Sequence, residues 1–274
     1  MKTEPGSSIT FGPTSSVVVV GAHPDDAVRA CGGVMLRALA ARATVTVLAG
    51  TDGAALFGKP GIPDGRKTAR VRKAEQVRGL RKLGVKRESV FFLGFPDGGI
   101  AKLRHGHRTS RAEPYFCPWL CSNHSEKDSY GPRLPFNGEA LLTLLSDVLR
   151  AIAPTHVFTH HVRDKHPDHR GVTWFVRKAL RDMVDEGHLE TAPGVCEYLT
   201  YVRGMKWPPP GKRIAPAAAR ALGFPGRVVE VPLSPAEVER KDAALDCFVP
   251  ILGADYIAHW RRTNEIYWRR PRDT

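Results

Sequence analysis

Four consecutive valines, Val17 to Val20, lead through Gly21 into the run Ala22-His23-Pro24-Asp25-Asp26-Ala27, with Gly32-Gly33 close behind. A β-branched run with no polar alternate has no side to offer water. It reads as a strand covered on both faces, the habit of parallel sheets. Asp26 to Ala41 then reads as a helix, with Val28, Cys31, Met35 and Leu39 on one face. The alternation recurs. Thr44 to Leu48 is a second strand ended by Thr51-Asp52-Gly53, and Phe57 to Gly65 is a Gly/Pro-rich loop. Thr68 to Leu83 is a basic helix with an apolar stripe of Val71, Ala74, Val77, Leu80 and Leu83, and Gly84 is its C-cap. Val90 to Leu93 is a third strand, closed by Pro96-Asp97-Gly98-Gly99. Glu139 to Ile152 is a helix stopped by Pro154, His156 to Thr159 a fourth strand, and Gly171 to Val184 another helix.

This order predicts an α/β fold of Rossmann-like form, a mostly parallel sheet with helices on both faces. Further on, Tyr198 to Val202 and Arg227 to Val231 read as strands separated by the Pro-rich turn Trp207 to Pro216. Ser234-Pro235-Ala236-Glu237 is a capping box for a helix through Cys247. Asp255 to Arg269 reads as an aromatic-rich helix. Residues 101–138 break the pattern and are expected to form a long excursion over the active face. Neither a repeat nor a linker divides the chain, so residues 1–274 are expected to form a single domain.

The chain has 274 residues, enough for a substantial core, and no apolar stretch approaches the roughly 20 residues of a membrane helix. The polar start, Met1 to Gly12, lacks the order of a signal peptide, so a cytoplasmic location is expected. Five cysteines, an odd count, argue against a disulfide framework. The net charge of +13 fits an anionic partner, but it is dispersed along the chain and reads as a solvated surface rather than a nucleic-acid footprint.

The chemistry-bearing residues lie at predicted strand ends. Ligands in open α/β sheets bind outside the carboxyl ends of the strands, where His23 to Asp26, Asp52 and Asp97 all fall. A second run, His166-Pro167-Asp168-His169, follows the fourth strand. A single His-Pro-Asp turn can be a helix cap and nothing more. Two of them at strand ends point to a shared metal site. A catalytic zinc takes three His or carboxylate ligands and leaves one position open for water. His23, Asp26 and His169 supply such a set, and Asp25 is left over as a general base. His166 could face the same pocket as a charged acid or oxyanion partner, with Asp168 or Asp164 fixing its tautomer. In the excursion, Cys117 and Cys121 with His105, His107 and His124 form an irregular candidate for a second zinc; ordinary loop residues are the commoner reading of such spacing. Tyr115, Phe116 and Trp119 could line a sugar-stacking wall, although packing is the commoner use of such aromatics.

The run His23-Pro24-Asp25-Asp26 with His166-Pro167-Asp168-His169 downstream resembles the LmbE-like/PIG-L family of zinc-dependent N-deacetylases. Thr51-Asp52-Gly53, Arg72-Lys73-Ala74-Glu75, Leu83-Gly84-Val85, Leu93 to Gly98, Thr159-His160 and Lys241-Asp242-Ala243-Ala244-Leu245 extend the likeness over most of the chain. The resemblance implies that zinc is held by His23, Asp26 and His169, with Asp25 as base and His166 as charged partner. It also places Arg72 and Asp97 against sugar hydroxyls. The implied substrate is a small-molecule N-acetylglucosamine-type sugar or conjugate. The family usually has Glu after the Asp pair, where this chain has Ala27. Two other expectations stay open: a metal-dependent amidase acting on a different conjugate, and a non-catalytic binder of anionic sugar or nucleic acid. A homo-oligomer is compatible with the sequence.

Overall fold

The computed structural model describes residues 9–56, 64–189 and 192–270. The first eight residues of the polar N-terminal stretch and positions 57–63 of the expected Gly/Pro-rich loop lie outside the described residues. Along the chain run β1 (Ser16–Gly21), α1 (Asp26–Ala40), β2 (Thr44–Thr51), α2 (Gly65–Leu83), β3 (Val90–Phe95), α3 (Ile100–Leu103), α4 (Gly138–Ile152), β4 (His156–His160), α5 (Pro167–Asp185), β5 (Gly194–Tyr198), α6 (Pro216–Arg220), β6 (Arg227–Pro232), α7 (Pro235–Leu245), α8 (Val249–Leu252), α9 (Ala254–Ala258) and β7 (Asn264–Arg269).

The strands form one seven-stranded sheet in the order β3-β2-β1-β4-β5-β7-β6. The first five are parallel, and β7 runs antiparallel between β5 and β6. The valines of β1 are at most 1% exposed. Val17 and Val19 pack into one apolar cluster with α1, the end of α2 and α7, while Val18 and Val20 pack into a second with α4 and α5. This two-sided burial is what an uninterrupted β-branched run requires. The strand order reverses between β1 and β4, so their carboxyl ends open a crevice. His23 follows β1 and His160 ends β4, and both stand at that crevice. No helix of the described residues is long and apolar enough to cross a membrane.

Three expectations give way to a different arrangement. On α2, Ala74 is exposed and Val71 and Val77 are half-buried; the covered face carries Thr68, Arg72, Glu75 and Gln76 beside Leu80 and Leu83. The helix turns this polar face inward because Arg72 finds partners there. The strand expected at Tyr198 to Val202 is instead Gly194–Tyr198. It ends early because Thr200 and Tyr201 donate their backbone N–H groups to the Asp164 carboxylate rather than to a neighbouring strand. The C-terminal aromatic segment is not one helix: after the short α9 it becomes β7, which pairs on both edges and is buried over Asn264 to Trp268. Residues 101–138 are anchored to the sheet and core, with Tyr130 N–H on the Phe92 carbonyl and Cys117, Leu120 and Phe136 buried. The capping box at Ser234 forms as expected.

Candidate metal centre

The turn after β1 shapes itself. The His23 N–H donates to Asp26 Oδ2 at 2.8 Å, which folds the Asp26 side chain back over the strand end as α1 begins. From the second crossover, Pro167 at the first turn of α5 starts a helix whose next positions are Asp168 and His169. The Thr173 hydroxyl, one turn further along α5, bridges the carbonyls of His160 and His169 and locks helix to strand.

Three donor atoms converge where these elements meet. His23 Nδ1 lies 3.4 Å from Asp26 Oδ2, His169 Nε2 lies 3.2 Å from His23 Nδ1, and His169 Nε2 lies 3.7 Å from Asp26 Oδ2. A tetrahedral zinc with bonds of about 2.0–2.2 Å holds its ligand atoms about 3.3–3.6 Å apart. The residues present therefore fit the ion. Each imidazole has a carboxylate behind it: His23 Nε2 is 3.1 Å from Asp97 Oδ1, and His169 Nδ1 is 3.0 Å from Asp164 Oδ1. Such outer carboxylates set the tautomer and aim the ring.

The remaining site residues fall into two groups. Asp25 sits between two guanidinium groups, with Arg72 Nη2 2.7 Å from Oδ1 and Arg29 Nε 2.9 Å from Oδ2. Arg72 also donates to the Gly53 carbonyl at 2.9 Å. Gly53 has φ +75°, and a Cβ there would meet Arg72 Nη1 at 2.8 Å, so only glycine admits this approach. Asp97 is engaged by His23, by Arg72 and by the Ala55 N–H, and it also lines the cavity over the centre. Asp168 turns away from the His166 ring: its carboxylate accepts from the N–H groups of Gly98 and Ile100, tying α5 to the turn after β3. Asp164 Oδ1 stands beside the His169 ring and accepts the backbone N–H of His166 at 2.9 Å.

The charge states follow from this packing. Burial opposes a charge on His23, but Asp97, with Asp168 and Asp26, outweighs it and raises the imidazole well above its usual value. Asp97, despite its burial, is held below the usual carboxylate range by His23 and Arg72. Burial and then His160 hold His169 down at about 3. His166 is lowered by burial and by the charge on His23. Its Nδ1 accepts the Asp168 N–H at 3.2 Å, which leaves the proton on Nε2.

A cavity of about 310 Å³ opens over this centre, lined by His23, Asp25, Arg29, Arg72, His166, His169, Tyr201, Leu252 and Tyr256 among others. None of its lining comes from residues 101–138. Among the described residues, no cluster able to hold a metal contains a cysteine; Cys117 is buried and Cys121 exposed. Two residues of the centre receive no role from sequence reasoning. His160 stacks on His169 at 3.7 Å between ring centroids and places Nε2 3.1 Å from Asp26 Oδ2. Arg29 reaches both Asp25 and Asp26. The sequence signals for His160 are a polar residue closing a buried strand and the Thr159-His160 likeness to the family. Arg29 gives none. Ala27 is fully buried in the core.

Comparisons with known proteins follow the same lines. Sequence comparison with the curated proteins finds no match. Several solved structures share the fold. The 4-carboxy-2-hydroxymuconate hydratase from Pseudomonas putida has a TM-score of 0.60 at 17% identity, over 95% of this chain and 98% of that one. The N,N'-diacetylchitobiose deacetylase from Pyrococcus horikoshii has a TM-score of 0.58 at 18% identity, over 93% of this chain and 83% of that one. A zinc-inhibited teicoplanin deacetylase has a TM-score of 0.55 at 18% identity, over 97% of this chain and 100% of that one. The family model described as PIG-L, GlcNAc-PI de-N-acetylase, matches residues 18–180, a span that takes in both His-Pro-Asp runs and the sheet from β1 to β4, and the chain belongs to that family.

Proposed function

We propose that this protein is a zinc-dependent N-deacetylase that hydrolyses the acetamide of an N-acetylglucosamine-type sugar or sugar conjugate. The observation that carries the reading is the convergence of His23 Nδ1, Asp26 Oδ2 and His169 Nε2 to within 3.2–3.7 Å beside a carboxylate, Asp25, that is not one of them. Family membership and the deacetylases among the structures of the same fold support it.

His23, Asp26 and His169 would hold the ion. When bound, zinc polarises the amide carbonyl and brings the pKa of water toward about 7. The chain supplies the proton transfers. Arg72 and Arg29 each leave a lone pair free on the Asp25 oxygens, and Asp25 uses these to accept the proton of the attacking water. As the C–N bond breaks, Asp25 returns that proton to the departing amine nitrogen, giving acetate and the free amino sugar. His166, neutral and with its proton on Nε2, donates to the carbonyl oxygen as that atom gains charge. Arg72 and the rim formed by Tyr201, Leu252 and Tyr256 would receive the sugar.

Acetate release from a panel of N-acetylglucosamine conjugates tests the reading. Asp25→Ala should abolish release, by about 10²-fold or more, while the protein retains bound zinc. An Asp25→Ala variant with wild-type turnover would sink the mechanism. Turnover of an acylated amide or a hydration substrate without acetate release would sink the assigned reaction.

A further inference from the structure

We propose that Arg29 is a positioning residue that clamps the base and a metal ligand of this centre into one geometry; the inference rests on the deacetylase reading. Arg29 stands one turn into α1 and is 3% exposed. Its guanidinium spends each face of its fork on a different partner. Nε lies 2.9 Å from Asp25 Oδ2, Nη2 pairs with Asp26 Oδ1, and Nη1 meets the Tyr256 hydroxyl. The plane of the group packs over the Trp260 ring, with Cζ 4.7 Å from the centroid. Tyr256 is in turn 2.5 Å from the Tyr201 hydroxyl.

The placement has a mechanical consequence. Asp26 turns Oδ2 toward the two histidine nitrogens and the His23 N–H and offers Oδ1 to Arg29, so Arg29 holds the second oxygen of the carboxylate that would bind the ion. Asp25 offers Oδ2 to the same guanidinium. Rotating Asp26 away breaks a charge-assisted hydrogen bond, and rotating Asp25 away gives up a 2.9 Å ion pair, both at buried groups. The distance between base and ligand carboxylate is therefore set by one rigid, planar cation. A lysine cannot reproduce this, because its ammonium is a single point rather than a fork. Arg29 lines the cavity, but its guanidinium is engaged by Asp25, Asp26 and Tyr256, so its effect on substrate passes through Asp25 and Asp26.

The experiment has two readouts. The first is zinc affinity, measured by chelator competition on wild type, Arg29→Lys and Arg29→Ala, with circular dichroism and thermal melts to show that each is folded. Arg29→Lys retains the charge and guards against a variant that cannot fold. The clamp predicts zinc binding weakened about 10- to 100-fold in Arg29→Lys, the range for outer residues that orient a metal ligand. The second is acetate release at saturating zinc. Here kcat falls by about 10-fold or more with KM little changed, and added guanidinium, but not methylammonium, restores part of kcat in Arg29→Ala. Wild-type zinc affinity and kcat in Arg29→Lys would overturn the clamp. So would a rise in KM at constant kcat, which would make Arg29 a substrate contact. Zinc affinity is independent of the reaction, so absence of acetate release from wild type would defeat the deacetylase reading and leave the clamp to be judged on the metal alone.

Discussion

A buried ion pair behind α1 gives a prediction whose size follows from the contacts. Lys241 on α7 and Glu265 on β7 are 1% and 3% exposed, and Lys241 Nζ donates to Glu265 Oε1 at 2.6 Å. The same carboxylate accepts the backbone N–H groups of Gly33 and Val34 at 2.8 and 3.0 Å, and the Tyr267 hydroxyl lies 2.7 Å from Oε2. Gly33 has no Cβ because one would lie 2.2 Å from Leu233 Cδ2, so the helix can come this close. Removing one partner of a buried pair costs about 3–5 kcal/mol, because the other charge is left without compensation. Lys241→Met leaves Glu265 three of its four donors, which puts the loss near the lower end, about 3 kcal/mol. Glu265→Gln leaves an ammonium with nothing but a neutral amide to face, so its loss belongs at the upper end, about 5 kcal/mol. Converting both residues removes both charges together. The double variant should then be far more stable than the sum of the singles implies, with a coupling energy of about 2–3 kcal/mol. Denaturant titration of the four proteins gives each free energy, provided the slopes match. A coupling below about 0.5 kcal/mol would refute the claim that this pair acts as a unit.

Two further outcomes depend on protons. Burial holds His161 at about 4, whereas the unfolded chain protonates near 6.5, so the folded state binds the proton less well and stability falls as pH drops from about 6.5 to about 4. The loss is about 3 kcal/mol, and comparing denaturant midpoints of wild type and His161→Gln across that window isolates it; parallel curves would contradict it. In the metal-free protein His169 is held down at about 3, and Asp26, despite its burial, is kept below the carboxylate range by His160 and His169, so among the three donors His23 alone carries a proton to be displaced. Zinc uptake near neutral pH should release about one proton, and affinity should rise with pH and level off above the His23 value. Calorimetry in two buffers of different ionisation enthalpy measures the number, and a result near zero or two would contradict it.

What could be read from the sequence was what lies close along the chain. Val17 to Val20 identify themselves, because four β-branched residues without a polar alternate leave one kind of strand, and the ligands His23 and Asp26 follow within one turn of it. His169 is legible because it closes the second His-Pro-Asp run, at the start of α5 after β4. The misreadings share a cause as well. Periodicity assigns apolar residues to the covered face, but α2 covers Arg72, Glu75 and Gln76 because its neighbours are the Asp25 carboxylate and the Gly53 carbonyl, partners that no local pattern reveals. β7 buries Asn264 and Glu265 between two neighbouring strands, so its residues show no alternation to read.

Arg29 is the sharpest instance. It stands beside Val28 in an amphipathic stretch, where an arginine reads as the wet side of a helix. The wet side does not exist there, because Tyr256 and Trp260, more than two hundred residues away in sequence, close over it. A cation can be held so deeply because Asp25 and Asp26 stand one turn before it. The carboxylates that mark the metal centre to any reader of the sequence are thus also what permits the arginine that no reader would place there. The local motif and the long-range closure depend on each other, and only the folded chain brings them together.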